Sequence, residues 1–139
     1  MKFIFIFLIS TITFKTLHSQ EKLTISKIDS LIQLKTKTEM IKKMYDNSSA
    51  RFLLDEKTKE LIWALIYYPK AKAITLYFWH QQLIKAKVQT YSAINKATDG
   101  GIYYFDQGIN IFKRETNIEP QSISEILKIS SEYLEKAKQ

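Results

Sequence analysis

The sequence contains no cysteine and very few glycines or prolines. The absence of cysteine excludes disulfides, thiolate metal sites, a cysteine nucleophile and a lipid-modified N-terminal cysteine. Three glycines and two prolines in 139 residues leave no low-complexity linker. Because 45% of the residues are hydrophobic and 25% are charged, the composition is typical of a folded globular chain, and the length fits one domain.

Histidine, arginine and long apolar runs are also scarce. The two histidines are His18 and His80, which excludes a histidine-rich metal site, and no phosphate-binding glycine loop occurs, so we expect no metal and no cofactor. The net charge of +7 comes mostly from lysine without any basic run, so we expect no nucleic-acid partner. Beyond the N-terminal segment, no apolar stretch approaches the roughly 20 residues that a transmembrane helix needs.

The first 19 residues have the pattern of a secretory signal peptide. Lys2 is followed by a short apolar core that begins at Phe3, and the small residue Ser19 precedes a polar start. We therefore expect cleavage between Ser19 and Gln20, and location in the periplasm or secretion. Residues 20–139 then form a single α+β domain. The alternatives for the apolar segment are a buried hydrophobic strand and an uncleaved anchor.

The N-terminal part of the mature region has the three- and four-residue apolar spacing of a helix. This pattern covers residues 23–45, and the pair Ser26 and Asp29 is a candidate N-terminal cap. Residues 35–38 contain no apolar side chain, so a break or turn is allowed there.

The C-terminal part has the same helical spacing. Ser122 and Glu125 form a capping box two residues after Pro120, which predicts where this helix begins. One apolar stripe runs along the predicted helix with Ser130 inside it. The stripe consists of Ile123, Ile126, Leu127, Leu134 and Ala137.

Between the two helices the apolar pattern takes the two-residue period of β-strands. Residues 60–68 are apolar at both odd and even positions, so they fit either a central strand or a short helix. The strand pattern of the residues that follow favours a strand. Residues 92–101 are predicted to form the longest loop. The predicted fold is α+β: an N-terminal helix, an antiparallel β-meander of about five or six strands, and a C-terminal helix. The helices are expected to cover one face of the sheet and to leave the other to solvent or a partner. The predicted strands are 51–54, 60–68, 71–79, 83–91, 102–105 and 109–113.

The hairpin around His80 allows the pairing of two strands to be predicted. A three-residue loop pairs Phe78 with Ile84 and Leu76 with Ala86, and it places all aliphatic side chains of both strands on one face. A two-residue loop turns one strand over and buries Lys85 and Lys87 among aliphatic residues. Because burying two unpaired ammonium groups is costly, the three-residue loop is favoured.

The opposite face of this hairpin carries aromatic rings beside ammonium groups. Such a surface suits anions, sugars, aromatic ligands or a protein partner. The alternative is that its two aromatic residues pack beneath a helix or loop while the lysines lie at a solvated edge. The candidate binding residues are Tyr77, Trp79, Lys85, Lys87 and Gln89.

Residues that could support catalysis are few, and none is assigned a catalytic role. His80 lies at a predicted hairpin tip with no serine or acid near it in the sequence. Asp55, Glu56 and Glu60 are spaced as a carboxylate pair would be, but the lysines between them are typical of a solvated turn.

The hairpin from Tyr103 to Ile109 has the sequence YYFDQGI, and the segment from Tyr77 to Lys85 is a variant of it. This pattern resembles small exported bacterial proteins with meander sheets and YYFDxG-type hairpins. The resemblance covers roughly residues 50–115. It implies a fold and carries over no activity and no catalytic residue.

The sequence therefore predicts an exported, non-enzymatic binding or interaction protein of the bacterial cell envelope. The expected partner is another envelope protein or an anionic glycan or lipid surface. An uncovered sheet face or edge also allows the chain to dimerise. The alternatives are a small carboxylate-dependent hydrolase or isomerase, and an inhibitor or immunity-type protein.

Overall fold

A computed structural model describes residues 22–37, 42–46, 50–69, 71–91, 97–116 and 122–138, so the predicted signal peptide lies outside the described residues. The α+β class is confirmed: one helix, an antiparallel meander and a second helix follow each other along the chain. The elements are α1 (Ile25–Lys37), β1 (Lys42–Asp46), β2 (Ala50–Asp55), β3 (Leu61–Tyr68), β4 (Lys72–Trp79), β5 (Gln82–Tyr91), β6 (Ala97–Asp106), β7 (Ile109–Glu115) and α2 (Ile123–Ala137).

The sheet has seven strands in sequence order, with β1 and β7 at its edges, rather than five or six. The additional strand is β1, which the sequence pattern had assigned to the end of the first helix. Only Met44 and Tyr45 are apolar in this segment, and two adjacent apolar residues fit either period. The break allowed at 35–38 is where the helix ends, at Lys37.

Strand β6 begins at Ala97, so part of the predicted loop 92–101 belongs to the sheet. Val88 pairs with Gly101 and Gln89 pairs with Asp99, which leaves Gly100 as an extra residue in the ladder. A bulge of this kind accommodates loop-like residues within a strand. The prediction of a loop is therefore wrong for residues 97–101.

Helix α2 covers one face of the sheet, called here the α2 face. Its predicted start is confirmed, because the Ser122 Oγ accepts a hydrogen bond from the Glu125 backbone N–H at 3.4 Å. Ile126 is buried against the sheet, and Ser130 is buried with its hydroxyl donating to the Leu127 carbonyl at 2.7 Å. The core on this face includes Ala64, Ile66, Ile74, Leu76, Phe78, Leu83, Ala86, Val88, Tyr103, Phe105 and Tyr133.

Helix α1 lies on the opposite face, called the α1 face, so the expectation of a single helix-covered face is wrong. Ile28 is fully buried and packs with Ile84 and Tyr104. The predicted cap pair is also wrong, because Thr24 Oγ1 accepts from the Lys27 N–H at 3.2 Å. An amphipathic stripe shows that a helix docks, but it does not say on which face of a sheet.

Coverage of both faces explains the ambiguous segment 60–68, which forms β3 as predicted. Leu61 and Ile66 belong to the α2-face core, whereas Ile62 lines a narrow gap beneath α1. A strand covered on both sides has apolar side chains at both its odd and its even positions.

Among the described helices, none is long and apolar enough to cross a membrane.

The β4–β5 hairpin places Lys85 and Lys87 on the predicted face of the sheet, but its turn and its strand pairing differ from the prediction. Its turn contains two residues rather than three, because Trp79 pairs with Gln82 and Phe78 pairs with Leu83. The ladder then shifts, Tyr77 pairs with Lys85, and Ile84 is the extra residue of a bulge. The predicted pairing of Phe78 with Ile84 is therefore wrong.

The bulge has a direct consequence for the charged side chains of β5. Leu76 pairs with Ala86, as predicted, and Lys85 and Lys87 share the face of Tyr77 and Thr75. The expectation that neither ammonium group enters the apolar core is therefore right. A bulge in β5, and not a longer loop, keeps both groups out of the core.

The turn at His80 and Gln81 offers a stability test. Both residues have positive φ, 48° and 63°, as a type I′ turn requires. Since a left-handed backbone is unfavourable for residues with a Cβ, we expect Gln81→Gly to raise the free energy of unfolding by about 1 kcal/mol in urea titrations. Gln82→Gly, in the adjacent extended strand, should lower it by a similar amount. A loss of stability in Gln81→Gly would contradict the two-residue turn.

Candidate functional site

The five predicted binding residues all lie on the α1 face of β4 and β5. Tyr77 and Trp79 are half-buried and pack against the cluster around Ile28, close to α1. Lys85 pairs with Tyr77 across the ladder, and Lys87 and Gln89 follow along β5 with half-buried side chains. The five residues therefore share a face, with two aromatic rings partly covered by α1. Their role in binding stays a prediction.

The ammonium group of Lys85 forms an ion pair and a cation–π contact with other residues of the protein. Its Nζ lies 2.7 Å from Asp29 Oδ1 on α1 and 4.8 Å from the centroid of the Tyr104 ring. The Tyr104 hydroxyl donates to the same carboxylate at 3.0 Å. Burial lowers the pKa of Lys85, but hydrogen bonds with Asp29 and Tyr104 outweigh this effect, so its pKa lies above the ordinary value.

This three-residue contact, the Asp29–Lys85–Tyr104 cluster, joins α1 to the sheet. The side chain of Lys85 is 15% exposed and that of Asp29 is 47% exposed, so the ion pair is partly screened by water. The cluster supplements the burial of Ile28 and fixes the position of α1 across β5 and β6.

A double-mutant cycle tests this assignment. We expect Asp29→Asn and Lys85→Met to be non-additive, with a coupling free energy of about 1 kcal/mol in urea unfolding. Lys87→Met, two residues along the same strand, is the matched control and should show no coupling to Asp29→Asn. Additive effects of Asp29→Asn and Lys85→Met would show that the ion pair does not hold α1.

A second group of contacts surrounds Trp79 at the hairpin end of the sheet. Lys35 of α1 places its Nζ 5.0 Å from the centroid of the indole ring, and the ring centroid of His80 lies 4.3 Å away. His80 Nδ1 is 3.5 Å from Glu60 Oε1, which comes from the β2–β3 connection. The sequence analysis named Glu60 as a candidate carboxylate but missed its contact with His80, because the sheet, not the spacing along the chain, brings the two residues together.

A cavity of about 370 Å³ opens beside Trp79. It lies between the start of α1 and two hairpin turns, at His80–Gln81 and at Gln107–Gly108. Asp106 lies at its wall and accepts a hydrogen bond from the Leu23 N–H at 3.3 Å. The residues that line it are Leu23, Lys27, Leu31, Trp79, His80, Gln82, Asp106 and Gln107.

The carboxylates considered for acid–base chemistry are arranged as a turn. Asp55 is buried, and its Oδ1 accepts hydrogen bonds from the N–H groups of Lys57 at 2.9 Å and Thr58 at 3.1 Å. Burial raises the pKa of Asp55, but these hydrogen bonds and the charge of Lys35 outweigh it, so the pKa lies below its ordinary value. A general acid needs the opposite shift. Within the described ranges, no group of three or more acidic or histidine side chains is placed to hold a metal ion.

The edge strand β7 carries an unusual amount of exposed apolar surface. Ile109 is 67% exposed, Ile111 37% and Phe112 41%. Lys113 and Arg114 are also exposed and follow directly. In the described sheet, β7 pairs with β6 alone. The sequence could not reveal this surface, because an apolar strand has the same pattern at an edge as inside a sheet.

The acid of β7 is already engaged. Glu115 Oε1 accepts a hydrogen bond of 2.7 Å from the Tyr103 hydroxyl, next to the α2-face core. The Asn110 side chain bridges the ladder irregularity by donating to the carbonyls of Tyr104 and Phe112. The outer side of β7 therefore presents apolar and basic groups.

Comparisons with known proteins add little. No protein-family model matches the sequence. No curated protein matches it either. Two solved structures are similar over 71% of this chain and 21% of theirs, at 14% identity: TarM, with a TM-score of 0.32, and a mutant of S. aureus TarM in complex with fondaparinux, α-GlcNAc-glycerol and UDP, with a TM-score of 0.33. The chain thus spans about a fifth of the length of TarM, and a likeness this weak supports no conclusion about its fold or activity.

Proposed function

We propose that this protein is a non-enzymatic interaction module of the bacterial cell envelope, and that it binds an extended acidic segment of another envelope protein along β7. The observation that carries the proposal is the edge strand itself, with three large apolar side chains exposed beside two basic ones. Location in the envelope rests on the signal-peptide pattern of residues 1–19.

An edge strand is suited to binding another strand. Its outward N–H and C=O groups have no partner strand in the described sheet, and an added peptide strand pairs with such groups. Alternate side chains of the peptide then contact apolar groups on the two faces of the edge. Ile109, Ile111 and Phe112 supply this apolar contact.

The same strand carries features that limit indiscriminate pairing. The β6–β7 ladder shifts between Tyr104 and Phe105, which leaves Ile111 as an extra residue. Bulges and lysines at sheet edges oppose aggregation, and β7 has both. These features favour a partner that is selected by charge over a partner that is merely apolar.

Charge indicates an acidic partner. Lys113 and Arg114 are consecutive, so their side chains point to opposite faces of the strand. Glu115 is engaged by Tyr103, and the chain as a whole has a net charge of +7. A segment with carboxylates on both faces therefore complements this edge.

Asp55 is unsuited to be the general acid of the alternative, a carboxylate-dependent hydrolase or isomerase, because its buried carboxylate accepts the hydrogen bonds of a turn and its pKa is lowered. An inhibitor or immunity-type protein acts by surface contact, so it is a special case of the proposed function and requires the same test.

The test is co-purification with a C-terminal tag on the full chain, expressed in a bacterial host and recovered from the envelope fraction. The variant Lys113→Glu/Arg114→Glu should bind the recovered partner at least about tenfold more weakly, because it repels an acidic segment. The matched control is Lys57→Glu/Lys59→Glu in the exposed β2–β3 turn, which should bind as the wild type does.

Amide hydrogen exchange of the complex locates the contact. The partner should slow exchange in β7 and leave the β2–β3 turn unchanged. Equal binding by the β7 variant, protection elsewhere on the sheet, or failure to recover a partner would overturn the proposal. Pairing of β7 with a second copy, seen as a dimer by sedimentation, would replace the acidic partner with self-association.

A further inference from the structure

We propose that the cavity beside Trp79 is a binding site for a neutral saccharide. This site is separate from β7 and does not depend on the function proposed for that strand. The cavity volume of about 370 Å³ falls in the lower part of the range of small-molecule sites, which is roughly 300–1,000 Å³.

The walls of the cavity combine an aromatic surface with polar groups. Trp79 and His80 form the aromatic side, with ring centroids 4.3 Å apart, and Leu23 and Leu31 supply aliphatic contacts. The C–H bonds on one face of a pyranose ring form an apolar surface that packs against aromatic rings, while its hydroxyl groups point outward. Such a ligand matches a wall of this composition.

The polar groups of the cavity suit hydroxyl groups. The amide of Gln82 offers donors and an acceptor to a ligand, and Gln107 lies on the same lining. Asp106 uses Oδ2 for the Leu23 N–H, and a carboxylate retains capacity for further hydrogen bonds. A sugar hydroxyl can donate to a carboxylate and accept from an amide at the same time.

The charges of the cavity favour an uncharged ligand. Lys27 contributes a positive charge and Asp106 a negative one on the same lining. An anion would be attracted by Lys27 and repelled by Asp106, and a cation would meet the reverse. A neutral polyol hydrogen-bonds to such a lining without adding a charge, whereas a purely apolar ligand would remove water from the Asp106 carboxylate without replacing its hydrogen bonds.

The indole of Trp79 is held in place before any ligand arrives. Lys35 contacts its ring from α1, and His80, the neighbouring turn residue, contacts it at the hairpin tip. Because the aromatic wall is fixed by these contacts, little side-chain entropy is lost on binding.

Tryptophan fluorescence provides the test, since Trp63 and Trp79 are the two tryptophans of the sequence. In the full chain carrying Trp63→Phe, emission comes from Trp79 alone. We expect at least one of maltose, cellobiose and N,N′-diacetylchitobiose to change this emission with a saturable dependence, with a Kd on the order of 1 mM. Galacturonic acid and glucosamine should bind more weakly.

Gln82→Ala is the decisive variant, because this exposed residue lines the cavity outside the hydrophobic clusters. In the Trp63→Phe background it should weaken binding about tenfold, whereas Gln33→Ala, at an exposed position of α1 outside the cavity lining, should not. Absence of any saturable response, a response unaffected by Gln82→Ala, or stronger binding of a charged sugar would overturn the proposal. Partner capture at β7 should be unchanged in Gln82→Ala, so the two proposals fail independently.

Discussion

The placement of the lysines of β5 is the constraint on which the rest of the structure depends. The side chains of a strand alternate between faces, and the α2 face is a closed apolar core in which an unpaired ammonium group is too costly. A plain two-residue turn after Trp79 would direct Lys85 into that core. The bulge at Ile84 restores the alternation, so that Leu76 still meets Ala86 and Lys85 lies on the α1 face. One additional residue thus allows both a tight turn and an apolar core.

The position of Lys85 determines what surrounds the other face. The Asp29–Lys85–Tyr104 cluster and the burial of Ile28 hold α1 across the hairpin end of the sheet. The start of α1 then closes one side of the cavity beside Trp79. The edge strand β7 contacts this assembly through Phe112, whose ring centroid lies 5.9 Å from that of Tyr104, while its apolar and basic side chains stay exposed to solvent. Both proposed binding surfaces therefore follow from how the meander is folded and covered.

The sequence correctly predicted those features that depend on residues close together along the chain. The capping box at Ser122 located the start of α2, and the strand at 60–68 was recognised despite its double-sided apolar pattern. The face of β5 that carries the lysines was also predicted correctly from the cost of burying their charges. The loop length on which that prediction relied was wrong, because the turn has two residues and β5 has a bulge. In contrast, β1 was misread because two apolar residues do not define a period. The location of α1, the contact of Glu60 with His80 and the exposure of β7 depend on which elements are neighbours in the sheet. Spacing along the chain contains no such information.

The most direct test of this account is the set of cross-strand nuclear Overhauser effects between β4 and β5 in the isotope-labelled protein. The account predicts contacts of Trp79 with Gln82, of Phe78 with Leu83 and of Tyr77 with Lys85. Backbone contacts that pair Trp79 with Leu83 would show a three-residue loop, and backbone contacts that pair Leu76 with Lys85 would show a hairpin without the bulge. Either result would contradict the account.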